Sequence, residues 1–294
     1  MEDKLCEENK RRLNVSGVLR ILGVSRSGYQ SFRKRLPSEW EQRKKAIMAK
    51  IKEIYEESYQ NYGAPKITQL LRRKGENIAE KTVGNYMREM GMKAQYIKPY
   101  TVTTKDSNFS MELKNILNED FNPTEPNAVW CSDITYLWTY EGFVYLTSIM
   151  DLFSRKIIAW VLSTTLEAKW VVEAINKAKK ARNINKPLVM HSDRGIQYTC
   201  TVYQKATEQF INSYSKKAYP WDNACIESFH ALIKREWINR FRIVDYKHAY
   251  RLVFEYIEAF YNTVRIHSHC KYLSPDQYEA SFAKGLDELY RKVS

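Results

Sequence analysis

The sequence predicts an α/β protein in which a mixed sheet with helices on both faces follows a smaller helical region. Three runs rich in β-branched and aromatic residues, 129–140, 142–151 and 155–163, are separated by short turns and indicate a three-stranded meander. Helical and strand patterns then alternate as far as residue 237. Strands first, followed by alternation with helices, favour a mixed sheet that is covered on both faces.

Composition limits the class of protein. Of the 294 residues, 44% are apolar and 13% aromatic, which supports a buried core and argues against wholesale disorder. The longest stretches without charge, 157–166 and 195–204, are too short to span a bilayer. The N-terminus lacks the apolar segment of a secretory signal, and the five scattered cysteines form no C-x-x-C pair. We therefore expect a protein of the reducing cytoplasm.

Positive charge is concentrated in the N-terminal third of the chain. Between Lys10 and Lys105 there are 22 lysines and arginines against 8 acids, a net charge of +14, whereas the whole chain carries +13. A basic segment beside a nearly neutral body indicates a module that binds a polyanion. Nucleic acid is the favoured partner.

Helical patterns organise this basic segment. Residues 14–35 predict two short helices joined by a "GVSRSG" turn, and apolar residues recur with helical spacing over 39–57. A further helix begins near Pro65, with Leu70 and Leu71 facing inward, and another spans roughly 79–90. This order of helices predicts a helix-turn-helix, with an ordinary helical bundle as the alternative.

Three acidic residues suggest chemistry. Asp133 lies within the first predicted strand, where a charge is costly without a partner, and Asp193 ends the predicted strand 187–193, where ligands of α/β sheets collect. Glu227 on the predicted helix 222–237 completes the set. Clustered carboxylates repel one another unless divalent cations bind them, and ligand sets made only of oxygen favour Mg²⁺ or Mn²⁺. Two such ions can stabilise the attacking oxygen and the leaving oxygen when a phosphoryl group is displaced.

Other candidates have simpler interpretations. Asp151 also ends a predicted strand, and we interpret it as a structural residue that caps the following turn. The "HSHC" segment, residues 267–270, offers three metal-binding side chains, but not at the spacing of a metal finger. Each of the three acids, taken singly, is also compatible with a turn or cap role.

The combination of motifs carries a resemblance. The stretches "VWCSDITYLW", "HSDRGIQYT" and "YPWDNACIESFHALIKREW", in this order, closely resemble the three acidic motifs of DDE transposases. In particular they are similar to the second-frame product, OrfB, of the IS-three family of insertion sequences, relatives of retroviral integrases. The resemblance covers nearly the whole chain. "GVSRSGYQSFRKR" resembles the start of that product, "YGAPKITQLLRRKGENIAEKTVGNYMREMGM" its helix-turn-helix segment, and "YIEAFYNTVRIHSHCKYLSPDQYEA" its closing segment.

The resemblance implies an RNase H-like catalytic core in which Asp133, Asp193 and Glu227 bind two Mg²⁺ or Mn²⁺ ions. It also implies that Lys234 contacts DNA, and helical spacing puts Glu227, Ala231 and Lys234 on one face. In the helix-turn-helix segment the candidate DNA contacts are Arg72, Arg73, Lys81, Asn85 and Arg88.

One departure concerns the spacing of the acids. Asp222 and Asn223 match the family's "DN" and are expected to shape the start of the helix rather than to bind metal. Between Asp193 and Glu227 there are 33 residues, two fewer than the family typically has. A displaced helix would take Glu227 out of the site and leave the protein inactive.

The implied reaction is hydrolysis of a phosphodiester at the end of the element, followed by attack of the freed 3′-OH on another strand. The implied partners are double-stranded DNA, both terminal inverted repeats and target, further copies of the chain on that DNA, and an upstream-frame product, OrfA. We therefore expect a bacterial cytoplasmic protein that associates with the nucleoid and transposes poorly by itself.

Rival interpretations remain open at this point. The chain could be a non-enzymatic DNA-binding protein or an inactive relic of a transposase. A tyrosine recombinase would need a constellation such as Arg265, His267 and Tyr278, and would leave Asp133 and Glu227 without a role. A nuclease without strand transfer would share the same site.

The predicted domain organisation has five parts. They are a helix-turn-helix-like segment at 1–38, a helix-turn-helix DNA-binding domain at 39–95, a linker at 96–120, an integrase catalytic core at 121–284, and a tail at 285–294.

Overall fold

A computed structural model describes residues 15–95, 113–216 and 220–285, without the side chains of residues 220 and 221. Cys6 and most of the predicted linker and tail lie outside the described residues. The chain divides into two compact units, Met1–Lys52 and Glu53–Ser294. Within the described ranges, no helix combines the length and the apolarity needed to cross a membrane.

The described part of the first unit starts with two short helices, α1 (Val15–Ile21) and α2 (Arg26–Lys34), which match the prediction for 14–35. The Ser25 side chain caps α2 by accepting the backbone N–H of Gly28 at 3.0 Å. Helix α3 (Glu39–Glu57) has the predicted bounds and continues past the division between the units. It starts where Ser38 and Glu41 hydrogen-bond each other's backbone N–H groups, the arrangement known as a capping box.

The second unit continues with α4 (Ala64–Arg73) and α5 (Glu80–Glu89), at the positions predicted for a helix-turn-helix. Leu71 is fully buried as expected, whereas Leu70 is only half-buried. The Arg72 guanidinium donates to the Ile78 carbonyl at 3.2 Å and so closes the turn between the two helices.

Five strands form one mixed sheet. They are β1 (Val129–Thr139), β2 (Gly142–Asp151), β3 (Lys156–Ser163), β4 (Val189–Ser192) and β5 (Ile211–Tyr214). The order across the sheet is β3-β2-β1-β4-β5, in which β1, β2 and β3 are antiparallel neighbours and β4 and β5 run parallel to β1. The predicted meander and the mixed sheet are confirmed.

Helices cover both faces of this sheet. Helix α6 (Ala168–Ala181) packs its buried residues against a core cluster that includes Ile149 of β2. The short helices α7 (Ile196–Thr199) and α8 (Thr201–Ala206) lie between β4 and β5, and α9 (Ala224–Glu236) follows a 3₁₀ turn at Pro220–Asn223. The α9 residue His230 contacts Ser148, which neighbours Ile149 along β2. Because successive residues of a strand point to opposite faces, α6 and α9 lie on opposite sides of the sheet.

The chain beyond α9 is helical, which the residue pattern alone did not predict. It forms a 3₁₀ turn at Ile238–Arg240, helix α10 (Tyr246–Phe254), a π-helical segment at Glu255–Tyr261 and helix α11 (Pro275–Ala283). A complete capping box between Ser274 and Gln277 starts α11.

A buried ion pair joins the end of α9 to this C-terminal region. The Arg265 guanidinium donates to both carboxylate oxygens of Glu236, at 2.7 and 2.6 Å, and both side chains are about 95% buried. The Tyr256 hydroxyl donates to the same carboxylate at 2.8 Å. Burial alone would raise the pKa of Glu236, but the hydrogen bonds and charge of Arg265 hold it below its ordinary value.

The helix-turn-helix segment meets the same region. The Tyr62 hydroxyl accepts the backbone N–H of Ile266 at 2.9 Å. Burial, and then the charge of Arg265, lower the pKa of Lys66 on α4 to about 7, although Glu236 opposes the change. These contacts attach α4 to the segment that holds the end of α9.

Part of the predicted linker contacts the edge of the sheet. The Ser213 hydroxyl on β5 accepts the backbone N–H groups of Ile116 and Leu117, and the Lys114 carbonyl accepts the N–H of Tyr214. Leu117 is buried. The domain limits given above stay predictions.

Candidate active site

The register of two parallel strands positions the first two acids. Ser132 on β1 pairs with Ser192 on β4, and each serine is followed directly by an aspartate, Asp133 and Asp193. Parallel neighbours in register carry their next residues at the same level of the sheet. Asp133 and Asp193 therefore lie next to each other, at the point where β4 ends.

Asp193 is held by the turn that follows it. Its Oδ1 accepts the backbone N–H of Gly195 at 2.9 Å. Burial, and then the charge of Asp133, raise the pKa of Asp193 to about 6, and the Gly195 hydrogen bond opposes that rise. A Cβ atom on Gly195 would lie 3.0 Å from the same Oδ1 and 3.1 Å from Gln197 Oε1, so the turn favours a residue without a side chain.

Glu227 lies in the first turn of α9 and is exposed to solvent. Partial desolvation, and then the charges of Asp133 and Asp193, raise the pKa of Glu227 to about 6. All three carboxylates therefore lie within electrostatic range of one another. The connection of 33 residues leaves Glu227 inside that range.

A metal site requires its ligands to lie closer together than the distance over which charges affect each other's pKa. Within residues 15–95, 113–216 and 220–285, no group of three or more His, Cys, Asp or Glu side chains is close enough together to hold a metal ion. The assignment of Asp133, Asp193 and Glu227 as metal ligands thus stays a prediction.

His230 is a residue of the site that the sequence pattern did not single out. Its Nδ1 lies 3.2 Å from Asp133 Oδ2 and its Nε2 lies 3.3 Å from Ser148 Oγ. The imidazole thus bridges the Asp133 carboxylate on β1 and the Ser148 hydroxyl on β2. The signal in the sequence was its position one helical turn after Glu227, on the buried side of α9.

The two aspartates line a pocket of about 170 Å³ together with Tyr136, Tyr145 and Gln197. Lys234 Nζ lies 4.6 Å from the centre of the Tyr136 ring, a cation–π distance. Partial burial lowers the pKa of Lys234, and the charge of Asp133 opposes this change. The site thus has a cationic side chain beside an aromatic wall.

A larger pocket, of about 400 Å³, lies beside β3 and α6, away from the acids. Its two charged residues, Glu173 and Lys177, form an ion pair with each other at 2.9 Å. Volume alone therefore does not mark the reactive site, and the smaller pocket is the one with perturbed carboxylates.

Other predicted side chains have structural contacts. The buried Asp151 carboxylate accepts the backbone N–H groups of Asn127 and Phe153, in agreement with its interpretation as a cap. Asp222 accepts the N–H of Lys216, and Asn223 precedes α9 without capping it through its side chain.

Side chains of the "HSHC" segment, and those that a tyrosine recombinase would use, also make contacts within the protein. His269 Nε2 lies 3.0 Å from the Phe153 carbonyl, and Cys270 Sγ lies 3.1 Å from the Ser154 carbonyl. Arg265 is buried against Glu236, and Tyr278 stacks on Phe153 with ring centroids 5.0 Å apart. A buried, ion-paired arginine does not suit the constellation that a tyrosine recombinase would need.

The candidate DNA contacts fall into two groups, exposed side chains of α5 and arginines that hydrogen-bond to backbone carbonyls of the protein. Lys81, Asn85 and Arg88 are exposed along α5, where Arg88 Nη1 donates to Asn85 Oδ1 at 3.0 Å. Arg72 closes the turn after α4, and Arg73 donates to the carbonyls of Lys271 and Tyr272. Their contacts with DNA stay predictions.

Comparison with known families gives the class of this protein, the integrases and transposases that carry an integrase core. Family models described as "Integrase core domain" match residues 123–217 and 206–275, and one described as "HTH-like domain" matches residues 41–100. The chain belongs to the IS3 family of insertion-sequence transposases.

Two curated relatives carry that assignment. The transposase for insertion sequence element IS904 of Lactococcus lactis is 36% identical over 83% of this chain and 98% of its own length. Transposase InsF for insertion sequence IS3A of Escherichia coli is 33% identical over 95% of this chain and 98% of its own length.

Among solved structures, the HTLV-2 integrase catalytic core domain in complex with magnesium covers 53% of this chain and 98% of its own, with a TM-score of 0.41 and 15% identity.

Membership of this family confirms several predictions made from the sequence. The resemblance to IS-three transposases, the RNase H-like fold class with a preceding helix-turn-helix region, and the function of a transposase are confirmed. This chain is thus a polynucleotidyl transferase by family.

Proposed function

We propose that Asp133, Asp193 and Glu227 form the catalytic site with which this chain cuts the ends of an insertion sequence and joins them to target DNA. The observation that carries the proposal is the pairing of Ser132 with Ser192, which puts the two aspartates side by side. Glu227 reaches the same electrostatic environment from α9.

The chemistry of the side chains suits a divalent metal cofactor. All three candidate ligands are carboxylates, which match the preference of Mg²⁺ and Mn²⁺ for oxygen. Burial first, and then repulsion by neighbouring carboxylates, raises the pKa of Asp193 and of Glu227 to about 6 in each case, and a cation would relieve the repulsion. We expect two ions, and when bound they would supply Lewis-acid stabilisation of the phosphoryl oxygens.

The residues of the chain then have separate roles. His230 fixes the orientation of the Asp133 carboxylate, and the Gly195 N–H fixes that of Asp193. Lys234 offers a positive charge beside the pocket for a DNA phosphate. Water and a DNA 3′-OH serve as nucleophiles, so no tyrosine or serine needs to form a covalent bond to DNA.

The proposed partners follow from the same reaction. The helix-turn-helix domain, with Lys81, Asn85 and Arg88 exposed on α5, binds the terminal inverted repeats, while the core takes up target DNA. Two ends must be joined together, so we expect several copies of the chain on the DNA. An upstream-frame OrfA product as a further partner, and a bacterial cytoplasmic location at the nucleoid, belong to this proposal.

The test is cleavage of duplex DNA that carries the terminal repeat, in Mg²⁺ or Mn²⁺. We expect the wild type to leave a free 3′-OH without any protein–DNA adduct, and Asp193→Asn to lose cleavage while binding the repeat normally. The control is Asp120→Asn, the same change at an exposed aspartate, which should cleave like the wild type.

Two results would count against the proposal. Unimpaired cleavage by Asp193→Asn would remove the aspartate from the chemistry, and a covalent tyrosyl adduct would indicate a recombinase. If the wild type binds the repeat but never cuts, with or without OrfA, the alternative of an inactive DNA-binding relic is favoured.

His230 gives an independent prediction. We expect His230→Ala to slow cleavage by about 10- to 100-fold, the usual cost of losing a side chain that orients a metal-binding residue. Affinity for the terminal repeat should not change, because the His230 side chain is itself buried. Ser148→Ala, which removes only the second hydrogen bond of the ring, should have a smaller effect on the cleavage rate. Equal rates for His230→Ala and the wild type would exclude this positioning role.

A further inference from the structure

One face of the β1–β2 hairpin exposes three aromatic side chains. Tyr136 and Trp138 are two positions apart on β1 and so point to the same face, and Phe143 on β2 pairs with Trp138 across the hairpin. Their exposed fractions are 55%, 61% and 47%, respectively. The Phe143 ring lies edge-to-face against the other two, with centroids 5.3 Å from Tyr136 and 4.9 Å from Trp138. We refer to these three residues as the hairpin aromatic patch.

Packing of the core does not account for this patch. The intervening residues Leu137 and Val144 are buried, so the opposite face of the hairpin already supplies the core contacts. Large aromatic rings are costly to leave in water, and a contiguous exposed patch usually marks a binding surface.

The patch is continuous with the candidate active site. Tyr136 lines the pocket that contains Asp133 and Asp193. Lys234 Nζ lies 4.6 Å from the Tyr136 ring centre and so puts a positive charge beside the same surface. A cation next to exposed aromatic rings is the combination with which proteins bind single-stranded nucleic acid, because the cation meets phosphate and the rings meet bases.

We propose that the hairpin aromatic patch stacks on unpaired nucleobases next to the cleavage position. The inference rests on the proposed function, which places a phosphodiester in the pocket and hence its neighbouring nucleotides along the hairpin. Bases inside a duplex are covered by their neighbours, so the ligand is a stretch of opened DNA at the end of the element. The patch thereby holds the end open while the acids act on its backbone.

The test compares two DNA ends whose reacting strands have the same length and sequence. One end is fully paired, and the other has three unpaired terminal bases. Binding is measured in EDTA, so that no cleavage occurs. We expect the wild type to prefer the opened end, and Trp138→Ala to lose about 5- to 150-fold in affinity for it, the range for one stacked base. Affinity for the paired end should stay unchanged, and Trp138→Phe should retain most of the preference.

A fluorescence measurement reports base stacking directly. A 2-aminopurine in the unpaired tail should lose fluorescence when the wild type or Trp138→Phe binds, but not when Trp138→Ala binds. The matched control is Phe254→Ala, which removes an aromatic side chain of similar exposure, 49%, from α10. This variant should behave like the wild type on both DNA ends.

The outcomes separate this inference from the proposed function. Equal affinity of the wild type for both ends, or no effect of Trp138→Ala, overturns the stacking role even if the wild type cleaves DNA. Preference for opened ends by a chain that never cleaves would support stacking and defeat the catalytic proposal. If Trp138→Ala instead turns a DNA-free dimer into a monomer, the patch is a contact between copies and the inference is wrong.

Discussion

Replacement of Glu227 by glutamine is expected to reduce strand cleavage by at least about 10³-fold, equivalent to about 4 kcal/mol of transition-state stabilisation. Glutamine has the same shape but no charge, so it removes the third carboxylate without creating a cavity. Glu227 is exposed in the first turn of α9, and the fold should therefore tolerate the change. The measurement is the rate of cleavage of terminal-repeat DNA, with DNA binding followed in parallel.

This experiment also tests the short connection before α9. If Glu227→Gln cleaves as well as an active wild type, the 33-residue spacing has taken the glutamate out of the reaction, although its pKa still responds to Asp133 and Asp193. Glu208→Gln is the control, because it makes the same change at an exposed glutamate in the loop between α8 and β5.

Replacement of Arg265 by methionine is expected to lower the free energy of unfolding by about 3–5 kcal/mol, the cost of breaking a buried ion pair from one side. The change leaves the Glu236 carboxylate buried, with the Tyr256 hydroxyl as its remaining hydrogen-bond partner and the Arg235 guanidinium 3.8 Å away. Urea unfolding at pH 7 measures the loss. The double variant Arg265→Met/Glu236→Gln should recover much of it, because no unpaired charge remains while Tyr256 keeps an acceptor.

The effect of pH gives a second check on that pair. In the wild type the pKa of Glu236 is lowered, so its stabilising contribution is present at neutral pH and is lost as the pH falls through that value. In Arg265→Met the burial of Glu236 is uncompensated and its pKa should rise. The destabilisation by Arg265→Met should therefore shrink on acidification. A loss below about 1 kcal/mol, or one independent of pH, would show that the pair contributes little to stability.

The sheet and two of the acids were predictable because their signals are local. The β-branched runs of β1, β2 and β3 and the helical spacing in α6 need no knowledge of distant residues. Asp133 lies within a predicted strand and Asp193 ends one, and their adjacency required only that the two strands be parallel neighbours in register.

The parts that escaped prediction depend on distant partners. His230 matters because it meets Asp133, 97 positions away, and Arg265 because it meets Glu236 within a buried site. The pattern of charged and apolar residues after α9 did not indicate which arginine would be buried. The hydrogen bonds from Arg73 to the carbonyls of Tyr272 and Lys271 likewise join residues 199 and 198 positions apart.

The two glutamates of α9 make that helix intolerant of changes in length. Glu236 lies nine positions after Glu227, about two and a half turns of helix, so the carboxylates point to opposite sides of the helix. One inserted or deleted residue between them would rotate one carboxylate by about 100° relative to the other. Either the acidic pocket or the ion pair with Arg265 would then be lost. We therefore expect an insertion or deletion to be tolerated better in the connection before α9 than between the two glutamates of α9.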